Sequence, residues 1–121
     1  MAKYETSFTL PAPLMAVVPA AALAAVAVGK RVAQQTPQVL VAKGGWLRLI
    51  GYPVDIRLEL WGSDGAAIVK VVGNSFMIGP IQGWACRNDV DKFCAHLVGT
   101  LQQWAAQAQT PAAAPPAPAN L

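Results

Sequence analysis

The chain has 121 residues, of which 55% are hydrophobic and 12% are charged, and its formal net charge at pH 7 is +3. This length fits one domain. Lys30-Arg31 is the only basic cluster, whereas a nucleic-acid-binding protein usually concentrates basic residues on one face. We therefore expect no nucleic-acid partner and an ordinary solvated surface around these two residues, with weak attraction to phosphates or anionic lipid as the alternative.

The composition of the chain changes near residue 109. From there to residue 121 it is mainly alanine and proline, with almost nothing to anchor a core. Such a segment is typical of an extended, polyproline-like or disordered tail. We therefore predict a single α+β domain over residues 1–108 and a disordered Ala/Pro-rich tail over residues 109–121.

The first 29 residues predict a strand and a helix. Residues 4–10 favour the strand, and residues 11–29 are rich in alanine and contain no charged residue. A membrane span or a signal peptide is the alternative to a soluble helix, but alanine gains little in a bilayer and no basic cluster precedes the stretch. We expect a soluble helix that ends at Gly29 and either kinks at Pro19 or begins there.

The middle of the chain predicts antiparallel strands. Residues 38–51 resemble a hairpin that turns at the glycine pair 44-45. Residues 54–61 alternate apolar and polar side chains, which is the period of a half-buried strand. Residues 66–73 are rich in β-branched side chains, and the Asp-Gly pair before them is typical of a tight turn. The last two segments are therefore predicted to be neighbours.

The last predicted helix spans residues 88–108. Its apolar side chains recur at steps of three and four and so share one face: Val90, Phe93, Cys94, Leu97, Leu101 and Trp104. Asn88 is a suitable N-cap, Asp91 stands at the capping-box position and Asp89 adds negative charge to the first turn. Both aspartates are thus expected to serve the helix start.

Together these segments predict an α+β fold. We expect a single antiparallel sheet of about four to five strands packed by two helices, in the order β-α-β-β-β-α, with three or four strands between the helices. The helices should cover the sheet face that carries Ile56 and Leu58.

Residues 83–97, GWACRNDVDKFCAHL, hold the densest group of titratable side chains. On a helix Cys94 and His96 point about 200° apart, so they cannot pair as nucleophile and base. Cys86 and Cys94 lie too far apart for a disulfide, and one histidine with this cysteine spacing fits no zinc site. We predict no enzymatic activity, no metal, no cofactor, and two reduced cysteines, as in a cytoplasmic protein.

Residues 44–73 and 83–101 carry a resemblance to a known family. They resemble small, uncharacterised bacterial α+β domains in which a Gly-Trp strand leads through an antiparallel hairpin to a Trp loop and a closing helix of the N-V-x-x-F type. The matching positions are Trp46, Trp84, Val90 and Phe93. The chain departs from the family's W-G-K-N, which is here Trp84, Ala85, Cys86 and Arg87.

The order of elements also resembles a reduced version of the helix-grip, START-like layout. In that layout a curved sheet wraps a long C-terminal helix, and the resemblance implies room for an apolar ligand between them.

The conspicuous residues are apolar and aromatic rather than titratable, which favours a small non-catalytic binding or protein-interaction module. One alternative is a carrier or sensor of a small apolar ligand held between the sheet and the C-terminal helix. A second is a membrane-associated protein that uses residues 11–29. We expect an unidentified protein or an apolar small molecule as partner, and an uncovered sheet edge allows a homo-oligomer. The candidate binding residues are Tyr52, Trp61, Phe76, Met77 and Trp84.

Overall fold

The computed structural model describes residues 2–44, 54–75 and 80–109, which form five strands and two helices. In chain order these are β1 (Ala2–Leu10), α1 (Leu14–Ala27), β2 (Arg31–Gln35), β3 (Val39–Lys43), β4 (Asp55–Ser63), β5 (Ala66–Ser75) and α2 (Pro80–Gln109). The strands form one sheet in the order β1-β5-β4-β3-β2, and all neighbours are antiparallel. This architecture confirms the predicted α+β class and order of elements.

The hairpin of β4 and β5 is built as its sequence predicts. The side chains of β4 alternate, so Ile56, Leu58 and Leu60 are buried while Trp61 is exposed on the opposite face. A two-residue turn joins the strands, and Gly65 in that turn has a φ of 82°, which glycine adopts without steric cost. Local sequence signals were sufficient here because the whole unit is contiguous in the chain.

β3 pairs with β2 along one edge and with β4 along the other. The hairpin predicted over residues 38–51, with its turn at Gly44-Gly45, includes residues 45–51, which lie outside the described part of the chain. β2 was not predicted, because its sequence RVAQQ shows no apolar alternation. In the structure its residues are almost entirely exposed. It is an edge strand that pairing with β3 defines.

Helix α1 lies over β2, β3 and β4. It begins before Pro19 and continues through it, so this proline removes one backbone hydrogen bond from the helix interior. At the C-terminus the Lys30 N–H donates to Ala25 O, and the Gly29 N–H donates to Val26 O. With φ at 80° for Gly29, this is a Schellman motif, which confirms the predicted helix end. α1 has 14 residues, and no helix in the described ranges is both long enough and apolar enough to span a membrane.

Helix α2 packs against α1, β1 and β5, and it begins at Pro80 rather than at Asn88. The predicted capping roles of Asn88, Asp89 and Asp91 are therefore wrong, since all three residues lie inside the helix. Asp91 instead approaches Arg87 one turn earlier, at 3.7 Å. The overlooked start signal is Pro80 itself, because proline suits the first turn of a helix.

Side chains fill the space between α2 and the sheet. Val90, Phe93 and Leu97 are fully buried and belong to the same cluster as Leu58 of β4. The helix lies close to β5 at Gly73, where an added Cβ atom would lie 2.6 Å from Val90 Cγ2. In the described residues, therefore, α2 packs directly on the sheet.

Candidate functional site

A groove of about 790 Å³ opens at one end of the sheet, beside α1. One wall is the first half of α1, with Leu14, Met15, Val18 and Pro19. The other walls are residues 35–38, which end β2 and connect it to β3, and residues 60–62 of β4. We call this end of the molecule the groove end.

Hydrogen bonds between distant segments hold these walls together. Leu14 N–H, in the first turn of α1, donates to Asp64 Oδ1 in the β4–β5 turn at 2.8 Å. A helix N-terminus has backbone donors without intrahelical partners, so this carboxylate caps α1 from another element. Leu60 N–H donates to Gln38 O at 2.9 Å, and Thr36 Oγ1 accepts the Gln38 N–H at 3.3 Å. These hydrogen bonds connect the α1 wall to the β4–β5 turn, and the β2–β3 connection to β4.

Among the described residues, the walls of the groove carry no charged side chain. Met15 is 89% exposed and Trp61 is 46% exposed at its edge. The side-chain amides of Gln35 and Gln38 have no hydrogen-bond partner among the described residues. Such a surface offers apolar contact and a few polar atoms for orientation, which is the composition of a small-molecule site.

At the opposite end of the sheet, the ammonium group of Lys30 is buried. Only 2% of the Lys30 side chain is exposed, contrary to the solvated surface predicted for it. Its Nζ donates to Asp89 Oδ2 at 3.0 Å, to Gly44 O at 2.9 Å and to Val54 O. These three acceptors match the three donors of an ammonium group. We call this end, defined by these four residues, the lysine end.

The thiols and the histidine form no reaction centre in the described residues. Cys86 is buried and Cys94 is partly buried on α2, and neither forms a disulfide. Burial, with a smaller contribution from the Asp91 charge, raises the pKa of Cys94 to about 11, which makes it a poor nucleophile at neutral pH. His96 is exposed, as predicted. No group of three or more potential metal ligands occurs in the described ranges.

The predicted binding residues do not come together. Trp61 lines the groove, whereas Trp84 is 60% exposed on α2 near the lysine end. Trp61 pairs with Ile68, and the α2 residues beside Trp84 lie at the level of Gly73, so the two tryptophans are roughly 17 Å apart along the sheet. The other three predicted residues, Tyr52, Phe76 and Met77, lie outside the described part of the chain.

Sequence reasoning missed most of the groove. Its α1 wall belongs to the uncharged stretch that was interpreted only as helix core or membrane segment. The signal was present: a surface helix normally has a polar face, and α1 has none, so one apolar face stays exposed at Met15, Leu23 and Val26. The predicted ligand site between the sheet and α2 differs from the observed groove, which lies between the sheet and α1.

Comparisons with known proteins support the fold. No protein-family model matches the sequence, and no curated protein matches it. By structure, the chain is similar to protein Ms6760 from Mycobacterium smegmatis, with a TM-score of 0.54, 9% identity and coverage of 86% of this chain and 90% of that chain. It is also similar to Ara h 8.0201, with a TM-score of 0.53, 12% identity and coverage of 86% and 97%.

A third similar structure is TTHA0849 from Thermus thermophilus, with a TM-score of 0.51, 9% identity and coverage of 84% of this chain and 98% of that chain. Helix-grip folds are among these neighbours. At such low identity the likeness concerns the fold alone. It supports the helix-grip layout that the order of elements suggested.

Proposed function

We propose that this protein is a non-catalytic binding module that holds a small apolar ligand in the groove beside α1. The observation that carries this proposal is the groove itself, about 790 Å³ in volume with uncharged walls. Small-molecule sites usually have volumes of roughly 300–1,000 Å³ and mostly apolar walls. The helix-grip layout of the neighbouring structures is consistent with a module of this kind.

The shape of the site favours a small molecule over a protein partner. A protein interface usually buries about 800 Å² on each partner and is comparatively flat. Here the exposed apolar atoms of Met15 and Trp61 border a concave site instead. The free amides of Gln35 and Gln38 provide the hydrogen bonds that orient a ligand with one polar group.

The walls also favour binding over turnover. General acid–base and nucleophilic catalysis require a titratable or nucleophilic side chain within hydrogen-bond reach of the substrate. Asp64, which contacts the groove wall at Leu14, already accepts the Leu14 N–H. We therefore propose a carrier or sensor rather than an enzyme.

A matched pair of tryptophan variants tests this function. Titration with the uncharged fluorophore N-phenyl-1-naphthylamine gives a Kd for the wild type, Trp61→Ala and Trp84→Ala. Trp61→Ala removes an aromatic contact in the groove and should weaken binding of the fluorophore about tenfold, which corresponds to about 1.4 kcal/mol. Trp84→Ala should leave the Kd within about twofold of the wild type, because Trp84 is exposed at the other end.

A charged residue at the rim provides a second test. Met15→Lys should preserve the fold, since Met15 is almost fully exposed, and should weaken binding of the same probe. Native mass spectrometry of the wild type should reveal any co-purified apolar molecule. Equal losses in Trp61→Ala and Trp84→Ala, or no effect of either, would overturn the groove as the binding site.

A further inference from the structure

We propose that the C-terminal segment of this same chain, residues 110–121, docks in the groove and competes with its ligand. The proposal rests on the proposed function, because it concerns the same groove. It adds a regulator to that site: an incoming apolar molecule must displace the segment.

The path of α2 delivers this segment to the groove end. Val90 and Cys86 lie against Gly73, at the level where β5 pairs with Tyr4. From there α2 runs back along the sheet, and at 1.5 Å per residue it reaches the level of Ala67, near the groove end, at about Leu101.

The last residues of α2 extend past the sheet. Leu101 still belongs to the core, because only 8% of it is exposed. Most residues in the helical turns that follow are exposed. The remaining eight residues of the helix, 102–109, add about 12 Å. Helix α2 therefore ends, at Gln109, beyond the level of the β4–β5 turn at the groove end.

The segment is long enough to reach the groove. Twelve residues in a polyproline II conformation span about 37 Å. α2 packs beside α1, and the groove lies between α1 and β2–β4, so the path crosses one helix of about 10 Å diameter. Adding the return of about 12 Å along α2 still leaves roughly 15 Å, or about five residues, inside the groove.

The chemistry of the segment matches the walls. Lys92 is the last Asp, Glu, Lys or Arg in the chain, and residues 110–121 include four prolines. No side chain of the segment or of the described groove walls carries a charge that docking would desolvate. Polyproline II strands bind aromatic-lined grooves, and their backbone carbonyls stay free to accept hydrogen bonds. Trp61 provides the aromatic wall, and Gln35 and Gln38 provide amide donors that have no partner within the described ranges.

Covalent attachment favours this occupant over a second molecule. A short linker gives the attached segment an effective concentration near the millimolar range, so weak contacts are sufficient to fill the groove. A ligand then binds with an apparent affinity reduced by the fraction of molecules whose groove is open.

Paramagnetic relaxation tests the docking directly in the full chain. A nitroxide label on Ala119→Cys is selective at pH 7, since Cys86 is buried and the thiolate of Cys94 is suppressed. We expect stronger broadening of the Met15 methyl and Trp61 indole signals than of the Trp84 indole signal. Absence of broadening at Met15 and Trp61 would overturn the proposal. So would broadening that appears only between labelled and unlabelled molecules in a mixed sample, because the occupant would then be a second copy.

A charge substitution in the segment tests the competition. Ala117→Glu should lower the Kd of N-phenyl-1-naphthylamine about three- to tenfold, because an undocked segment frees the groove. Ala117→Gln is the matched uncharged control and should have a smaller effect. An unchanged Kd in Ala117→Glu would overturn competition. If the probe binds to none of these variants, the function proposed above fails, and the broadening at Met15 and Trp61 alone decides whether the segment docks.

Discussion

The lysine end and the groove end of the sheet are built differently: polar groups bind one another at the first, and apolar side chains stay open at the second. Each is a place where a helix terminus, a strand connection and the end of β4 meet. At the lysine end the Lys30 ammonium group binds two carbonyls and the Asp89 carboxylate. At the groove end Asp64 caps α1, and the remaining surface is apolar and open.

The difference shows why one end of this fold is available for binding. Buried polar groups that satisfy one another leave nothing for a ligand to bind, and breaking them exposes a charge to an apolar interior. Apolar walls without internal partners remain in contact with water, and a ligand that displaces this water gains free energy. The lysine end therefore stabilises the fold, while the groove end leaves an apolar surface open for the binding that we propose.

We expect the largest loss of stability when the ammonium group of Lys30 is removed. Lys30→Met leaves the Asp89 carboxylate without its cation and two backbone carbonyls without a donor, so we expect a loss of about 3–5 kcal/mol in the free energy of unfolding. Urea denaturation measures it, and the exposed Lys43→Met is the control. The double variant Lys30→Met/Asp89→Leu should recover part of the loss. A loss below about 1 kcal/mol for Lys30→Met would show that the lysine end is not a structural anchor.

The contact between α2 and β5 near the lysine end gives the next largest effect. In Gly73→Ala the new Cβ would lie 2.6 Å from Val90 Cγ2 and 3.2 Å from Val54 Cγ1. Valine side chains have few χ1 rotamers and cannot easily move away from this contact. We expect a loss of about 1–3 kcal/mol in thermal or urea unfolding. Gly99→Ala is the matched change on α2, where nothing lies within 4 Å, and should stabilise the protein by up to about 1 kcal/mol. Equal signs for the two variants would contradict this packing.

At the groove end, the cap on α1 should matter less. Asp64→Ala removes the acceptor of the Leu14 N–H and should cost about 1 kcal/mol of unfolding free energy. Asp64→Asn keeps an acceptor oxygen and a good turn residue, so its cost should be smaller. If the two variants also weaken probe binding in proportion to their loss of unfolding free energy, the α1 wall of the groove depends on this cap. An unchanged free energy of unfolding in Asp64→Ala would exclude the capping role.

The smallest expected effect concerns the Cys94 thiol. Because burial and Asp91 raise its pKa to about 11, iodoacetamide should alkylate the folded Cys86→Ala variant slowly until the pH approaches that value. In the unfolded chain the same thiol ionises near its ordinary value of 9.0. The unfolded state thus loses its proton first, so this thiol's contribution to stability is complete below about pH 9 and is lost as the pH rises to about 11. Rapid alkylation at pH 8 would contradict the burial.

Several parts of the fold were accessible from local sequence. The alternation of residues 54–61 predicted the buried and exposed faces of β4, and the Asp-Gly pair predicted the turn to β5. Gly29 predicted the end of α1. In each case the physical cause, a side-chain period or a positive φ, acts within a few residues.

Other parts depended on contacts between distant residues. β2 has no apolar pattern and exists because β3 pairs with it. Asn88 and Asp89 fit a helix start by sequence, yet they lie inside α2, where Asp89 neutralises Lys30 from 59 residues away. A capping pattern does not reveal whether a helix has already begun, nor which charge lies opposite in space.

The α+β class, the faces of β4 and the uncharged character of α1 followed from the amino-acid sequence alone, because periodicity and composition express these properties locally. Three features required the packed fold: one apolar face of α1 stays open, this face meets residues 35–38 and Trp61, and Lys30 is buried at the other end. These features depend on which surfaces are left over after packing, and that remainder is a property of the whole arrangement rather than of any one segment.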